Sequence, residues 1–265
     1  MDLGLKDAAA VVVGGGRGMG LAAARCLAED GARVAVVGRT QSVLDEAAAT
    51  LSRCGSPDAV GLTADITDAD AVARVFDAVG RRFNGELNIL INAVGPDAVG
   101  TFEELTDEQW RTALDGGLMG MVHCVRSALP LLRSAQWARI VNFSAHSTQR
   151  QSVILPAYTA AKAALTSVSK NLSLLLARDE IMVNVVSPGS IASEALIGWA
   201  ASVGVDGNDP YALMSAIDEH FGHPAHLPRA GQPDEIGPVV AFLASRRNSY
   251  MTGANVNVDG GSDFT

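Results

Sequence analysis

Residues 8–20, AAAVVVGGGRGMG, constrain this chain more than any other stretch. Six small or β-branched apolar residues run straight into clustered glycines, and an alanine-rich helical pattern over 21–30 begins where the glycines stop. A continuous apolar run reads as a strand buried on both faces, as in the middle of a parallel sheet. Gly14, Gly18 and Gly20, spaced G-x3-G-x-G, then form a turn in which the backbone can take positive φ and a pyrophosphate can approach closely. Helix N–H groups and the positive end of the helix dipole would face that anion. A glycine pattern alone also suits a βα turn that binds nothing. The order of strand, glycine loop, helix and second strand is what points to a dinucleotide.

The remaining composition narrows the class. A chain of 265 residues can bury a large core, and one domain over 1–265 is expected. The net charge of −9 favours solubility and argues against non-specific nucleic-acid binding. The N-terminal MDLGLKD is too short and polar for a signal peptide, and no apolar run approaches the roughly 18 residues of a membrane span, so a cytoplasmic location is expected. Cys26, Cys54 and Cys124 lack C-x-x-C spacing and read as reduced thiols. His220, His223 and His226 are interrupted by Gly222 and Pro224, so they read as surface histidines and no metal is expected.

Further strands are expected at 33–37, 60–64, 87–92, 139–143, 182–187 and 255–258, alternating with helices. The residue closing the second strand faces the adenosine ribose in a dinucleotide fold, where an acid suits a 2′-hydroxyl and an arginine a 2′-phosphate. Here Gly38 is followed by Arg39, and Arg17 lies within the glycine loop, which favours NADP(H) over NAD(H). Asp65 is placed either to accept from an adenine amino group, with Ile66 packing the ring, or to begin the next helix with Asp68. Thr106-x-x-Gln109 is a capping box opening a helix to about residue 132, yet Gly116, Gly117 and Gly120 interrupt it and call for close packing or a kink. Residues 190–228 break the regular pattern and read as a substrate lid, with Trp199, Met214 and Phe221 making it apolar.

Tyr158 and Lys162 lie four apart in a helical stretch, on one face. An ammonium so placed can stabilise a phenolate and bring the tyrosine's pKa toward neutrality, fitting it to exchange a proton with a carbonyl or hydroxyl.

With GGGRGMG, the Asp65-Ile66 pair, Asn92-Ala93-Val94-Gly95, Tyr158-x3-Lys162, Asn184-x3-Pro188-Gly189 and the tails RAGQPDEIG and YMTGANVNVDGG, nearly the whole chain resembles the short-chain dehydrogenase/reductase family, in its β-ketoacyl carrier-protein reductase branch. The resemblance implies an α/β single-domain Rossmann fold, a seven-stranded parallel sheet with helices on both faces, and a homotetramer. It implies a carbonyl or secondary-alcohol substrate, with Tyr158 as the acid and Lys162 lowering its pKa and holding the nicotinamide ribose. It also implies a nucleotide site built from Gly14, Arg17, Gly18, Met19, Gly20, Arg39, Asp65, Ile66, Asn92, Gly95, Pro188, Gly189, Ile191 and Ser193. Two positions depart from the family pattern. The catalytic serine, thirteen residues before the tyrosine, is Ala145, and the catalytic asparagine, seven after Trp110, is Gly117. On a strand-like segment residue 147 shares a face with 145, so Ser147 is the expected stand-in before Ser144. These losses leave a second expectation, a cofactor-binding homologue that no longer turns over.

Overall fold

The computed structural model describes residues 2–96, 98–222 and 224–262. The apolar run becomes β1 (Ala9–Val13), every residue of it buried. Around it the chain alternates α1 (Gly18–Glu29), β2 (Arg33–Gly38), α2 (Gln41–Cys54), β3 (Ala59–Thr63), α3 (Ala69–Arg82) and β4 (Ile89–Asn92). Then come α4 (Asp107–Leu114), α5 (Gly120–Ser134), β5 (Ala138–Phe143), α6 (Pro156–Leu175) and β6 (Ile181–Pro188). Two lid helices, α7 (Glu194–Ser202) and α8 (Pro210–Phe221), precede α9 (Pro233–Leu243) and β7 (Asn255–Val258).

The seven strands form one sheet in the order β3-β2-β1-β4-β5-β6-β7, and all of its pairings are parallel. The order reverses between β1 and β4, the crevice where ligands of open α/β sheets bind. Alternate side chains of the buried strands feed two cores. Val11, Val13 and Leu90 meet Phe76, Val125 and Leu165 on the face covered by α3, α5 and α6, while Val12, Val34 and Ile91 meet Leu27, Leu44 and Ile236 beneath α1, α2 and α9. The lid has a small core of its own around Ala200, Leu213, Met214 and Ile217.

The expected elements form, with shifted ends. The first helix starts at Gly18 rather than residue 21, so the last two glycines belong to its first turn. Asp68, not Asp65, caps α3, its carboxylate accepting from the amides of Asp70 and Ala71. The capping box at Thr106 and Gln109 is present, and the helix it opens continues through a five-residue π-helical stretch, Asp115–Met119, into α5. A Cβ on Gly117 would lie 2.8 Å from the Ala161 Cβ and 2.9 Å from the Pro96 Cγ, and one on Gly120 would strike Ile66. These glycines are where the helix presses against α6 and against the loops after β3 and β4. The helical stretch that carries Tyr158 and Lys162 ends at Leu175, and a short 3-10 turn, Ala177–Asp179, follows.

Candidate active site

The glycine loop forms the floor of the crevice. Gly14 has φ +78°, and a Cβ there would lie 2.8 Å from the Ala93 carbonyl oxygen; at Gly20 a Cβ would strike the Gly14 carbonyl. The loop and helix therefore fold tightly against the segment after β4, leaving the α1 N-terminus without a side-chain cap on Arg17. Uncapped N–H groups at the carboxyl edge of a parallel sheet, with no Cβ in the way, suit a pyrophosphate. The residues present fit a dinucleotide.

Around this floor the expected nucleotide residues divide. Arg39 is exposed just beyond β2, and Asp65 is exposed after β3. The Asp65 carboxyl is held below its usual range, chiefly by hydrogen bonds from the Thr67 amide and hydroxyl at 2.9 and 2.8 Å, with a smaller effect of Arg39. Ile66 is buried beneath Gly120, and its carbonyl pairs with His123 Nδ1 at 2.9 Å. Arg17 is turned to the lid, where its Nη1 lies 2.8 Å from Glu194 Oε2 in an exposed ion pair. The side chain of Asn92 serves the fold, donating to Asn142 Oδ1 at 2.8 Å across β4 and β5. At the end of β6, the Gly189 amide donates to the Val258 carbonyl and Ile191 bridges to Gly231, while Ser193 caps α7 by accepting from the Leu196 amide.

Beside this floor, against α6 and the lid helices, lies a cavity of about 410 Å³. Met19, Tyr158, Ser144, Ser147 and Gly189 line its inner part, and Trp199 and Phe221 close it from the lid. The third lid residue singled out in the sequence, Met214, is buried in the lid's own core instead, its sulfur accepting from the Ala225 amide. Gly95 stands beside the tyrosine ring, where a Cβ would lie 3.9 Å from the Tyr158 hydroxyl.

Tyr158 and Lys162 share a face of α6, but here the ammonium does not tune the phenol. Lys162 Nζ donates to the carbonyls of Phe143 and Val94 at 2.6 and 2.8 Å. Burial pulls the Lys162 pKa down to about 7 and pushes that of Tyr158 up to about 12. The expected lowering of the tyrosine is therefore not a property of the protein alone. Two carbonyls hold the lysine, and burial acts on the phenol.

Ala145 lines the cavity at 6% exposure, with serines on either side. Ser147 does not share a strand face with residue 145 as expected, because the residues after Ala145 coil into a 3-10 turn, His146–Thr148. Hydrogen bonding separates the serines on other grounds. Ser144 Oγ lies 2.7 Å from the Thr166 hydroxyl and 3.3 Å from the Lys162 carbonyl, and Thr166 Oγ1 lies 2.9 Å from that same carbonyl; whichever hydroxyl donates to the other, the Ser144 proton is used against α6. Ser147 Oγ instead accepts from the Thr159 hydroxyl at 3.1 Å, which leaves its own O–H to give.

Sequence reasoning missed Pro96, His146, Arg150 and Ile217, all on the cavity wall. They come from irregular loops and the inner face of α8, where spacing carries no signal. No group of three or more potential metal ligands occurs among the described residues. His220 pairs with the Ala216 carbonyl through Nδ1 and meets Trp199 edge to face, and His223 lies outside the described residues.

Residues 13–263 match a family model described as enoyl-(acyl carrier protein) reductase. Among curated proteins, the chain is 32% identical over 257 residues to the oxidoreductase asL5 of Sarocladium schorii, covering 97% of this chain and 96% of the relative. It is 31% identical over 252 residues to meso-2,3-butanediol dehydrogenase of Serratia marcescens, covering 95% and 93%. Among solved structures, L-sorbose reductase of Gluconobacter frateurii complexed with NADPH and L-sorbose superposes with a TM-score of 0.93 at 30% identity, covering all of both chains.

Proposed function

Because the chain belongs to the short-chain dehydrogenase/reductase family and is thereby an oxidoreductase of carbonyls and alcohols, we propose that it uses NADP(H) and works through Tyr158, Lys162 and Ser147. The observation that carries the reading is the placement of the Tyr158 hydroxyl and Ser147 on one cavity beside the uncapped helix N-terminus. The dinucleotide, when bound, supplies or accepts the hydride. Tyr158 gives the proton to the carbonyl oxygen in reduction and takes it in oxidation. The Ser147 hydroxyl, oriented by Thr159, donates to the same oxygen and replaces the function lost at Ala145, worth about 3 kcal/mol for a well-aimed donor. Lys162, whose ammonium donates to the carbonyls of Phe143 and Val94, is the residue that would hold the nicotinamide ribose and place positive charge near the phenol.

Steady-state kinetics with a panel of ketones test the assignment. Tyr158→Phe is expected to abolish turnover and leave NADPH binding nearly intact, because it removes a transferable proton and little contact area. Ser147→Ala should lower kcat by about tenfold or more, and Ser144→Ala by less. Activity unaffected by Tyr158→Phe overturns the mechanism.

Ala145 favours a second reading, a homologue that binds cofactor without turnover. Ala145→Ser separates the two. It creates activity in an inactive parent and changes kcat little in an enzyme whose donor is Ser147.

A further inference from the structure

Building on the oxidoreductase reading, we propose that the substrate carries a carboxylate bound by Arg150, with an apolar body against the lid. The chain holds 29 aspartates and glutamates, yet none lines the cavity among the described residues, whereas Arg150 does. Its Nη1 donates to the Ser262 carbonyl at 2.9 Å and the Pro224 carbonyl at 3.2 Å. Those carbonyls fix the half-buried guanidinium without neutralising it. No carboxylate among the described residues forms an ion pair with it, in contrast to Arg17, Arg82 and Arg229. A guanidinium presents five N–H donors in a planar fork, and here Nε and Nη2 make no hydrogen bond to described residues.

A cation on the wall of a largely apolar cavity interacts strongly with an anion that enters beside it, because little water screens the pair. The fork also matches a carboxylate with two parallel hydrogen bonds, which fixes direction as well as distance. Trp199, Phe221 and Ile217 supply the apolar remainder of the wall. A volume of about 410 Å³ suits a small acid with a hydrocarbon or aromatic body. Arg150 is thus a specificity-determining residue, anchoring one end of a keto or hydroxy acid while the reacting oxygen is served by Tyr158.

Calorimetric titration with 4-phenylbutanoate and its uncharged counterpart 4-phenylbutanamide, with and without NADP⁺, reads the site without requiring turnover. The parent is expected to bind the acid at least about tenfold more tightly than the amide. Arg150→Met should erase that preference and leave amide affinity unchanged, and Arg150→Lys should retain a preference for the acid. A parent that binds both probes equally, or neither, overturns the proposal, as does an Arg150→Met variant weakened equally toward both. Should Arg150→Met fail to fold, the parent ratio and Arg150→Lys decide. An Arg150-dependent preference in a protein without turnover would remove the oxidoreductase reading and leave the carboxylate site standing. Ketone reduction without acid preference would do the reverse.

Discussion

Arg39 and Arg17 meet the cofactor question from different positions. Arg39 is exposed beyond a strand that ends in Gly38 with no acid to receive a ribose 2′-hydroxyl, so a 2′-phosphate would face a cation and meet no opposing carboxylate at that strand end. NADPH is expected to bind at least about tenfold more tightly than NADH, and Arg39→Asp to reverse the order, as read by fluorescence titration. To reach a 2′-phosphate Arg17 would first have to leave Glu194; an ion pair this exposed is worth only about 0.2–1 kcal/mol, so it would be a weak brake. Lys162 gives a separate prediction. Its pKa near 7 in the folded protein lies below the ordinary 10.5, so between those values the unfolded chain binds more protons and stability rises with pH. The cost of burying the charge is fully present below pH 7 and fades toward pH 10.5. Tyr158, raised to about 12, acts only at higher pH and in the opposite sense, since above about 10 the unfolded chain is the one that loses its proton. In the absence of nucleotide, Lys162→Met should therefore gain most over the parent at pH 6, with the gain shrinking by pH 9.5. Thermal melts at both values check this, and a gain that grows with pH would contradict it.

The helix from Asp107 to Ser134 shows why a missing catalytic side chain need not be a simple loss. Its π-helical stretch brings Gly117 against Ala161 and Pro96 so closely that even a methyl group has no room. Restoring the family asparagine by Gly117→Asn is therefore expected to destabilise by about 1–3 kcal/mol and to lower activity rather than raise it. Differential scanning calorimetry on Gly117→Asn, alone and with Ala161→Gly, measures the clash: partial recovery in the double variant is expected, and an asparagine variant as stable as the parent would contradict it. Elements with strong local chemistry were legible in the sequence, among them the buried β1, the capping box at Thr106 and the Asn255–Val258 strand. Where tertiary contact decided, the pattern was silent. Three glycines announced an irregular helix, but only the neighbours Ala161, Pro96 and Ile66 show its cause. The alternation that favoured Ser147 assumed an extended chain, whereas a 3-10 turn begins at His146; what favours the same serine is its bond with Thr159, twelve residues away. The cavity wall was the least legible part, since Arg150 and Ile217 are joined only by folding.

At the scale of the molecule, large apolar side chains stay exposed at several places, and two groups of them bear on assembly. Leu174 and Leu175 are 71% and 62% exposed at the end of α6, with Leu114 also exposed on the adjoining α4. Tyr250 is fully presented before β7, near the exposed Met251, and Phe242 is exposed on α9. Single exposed leucines are ordinary, but paired ones on a long helix and an aromatic standing free beside an edge strand favour contact with other copies. Two separate self-complementary faces generate closed dihedral symmetry, so a 222 homotetramer is the proposed assembly. Light scattering at micromolar concentration should then give four times the chain mass. Leu174→Glu with Leu175→Glu places repelling charges on both sides of one two-fold contact and should leave dimers, as should Tyr250→Glu on the other face. Combining the three should give single chains. A parent that runs as a monomer removes the proposal, and a dimer that resists one pair of substitutions identifies the other face as its sole contact.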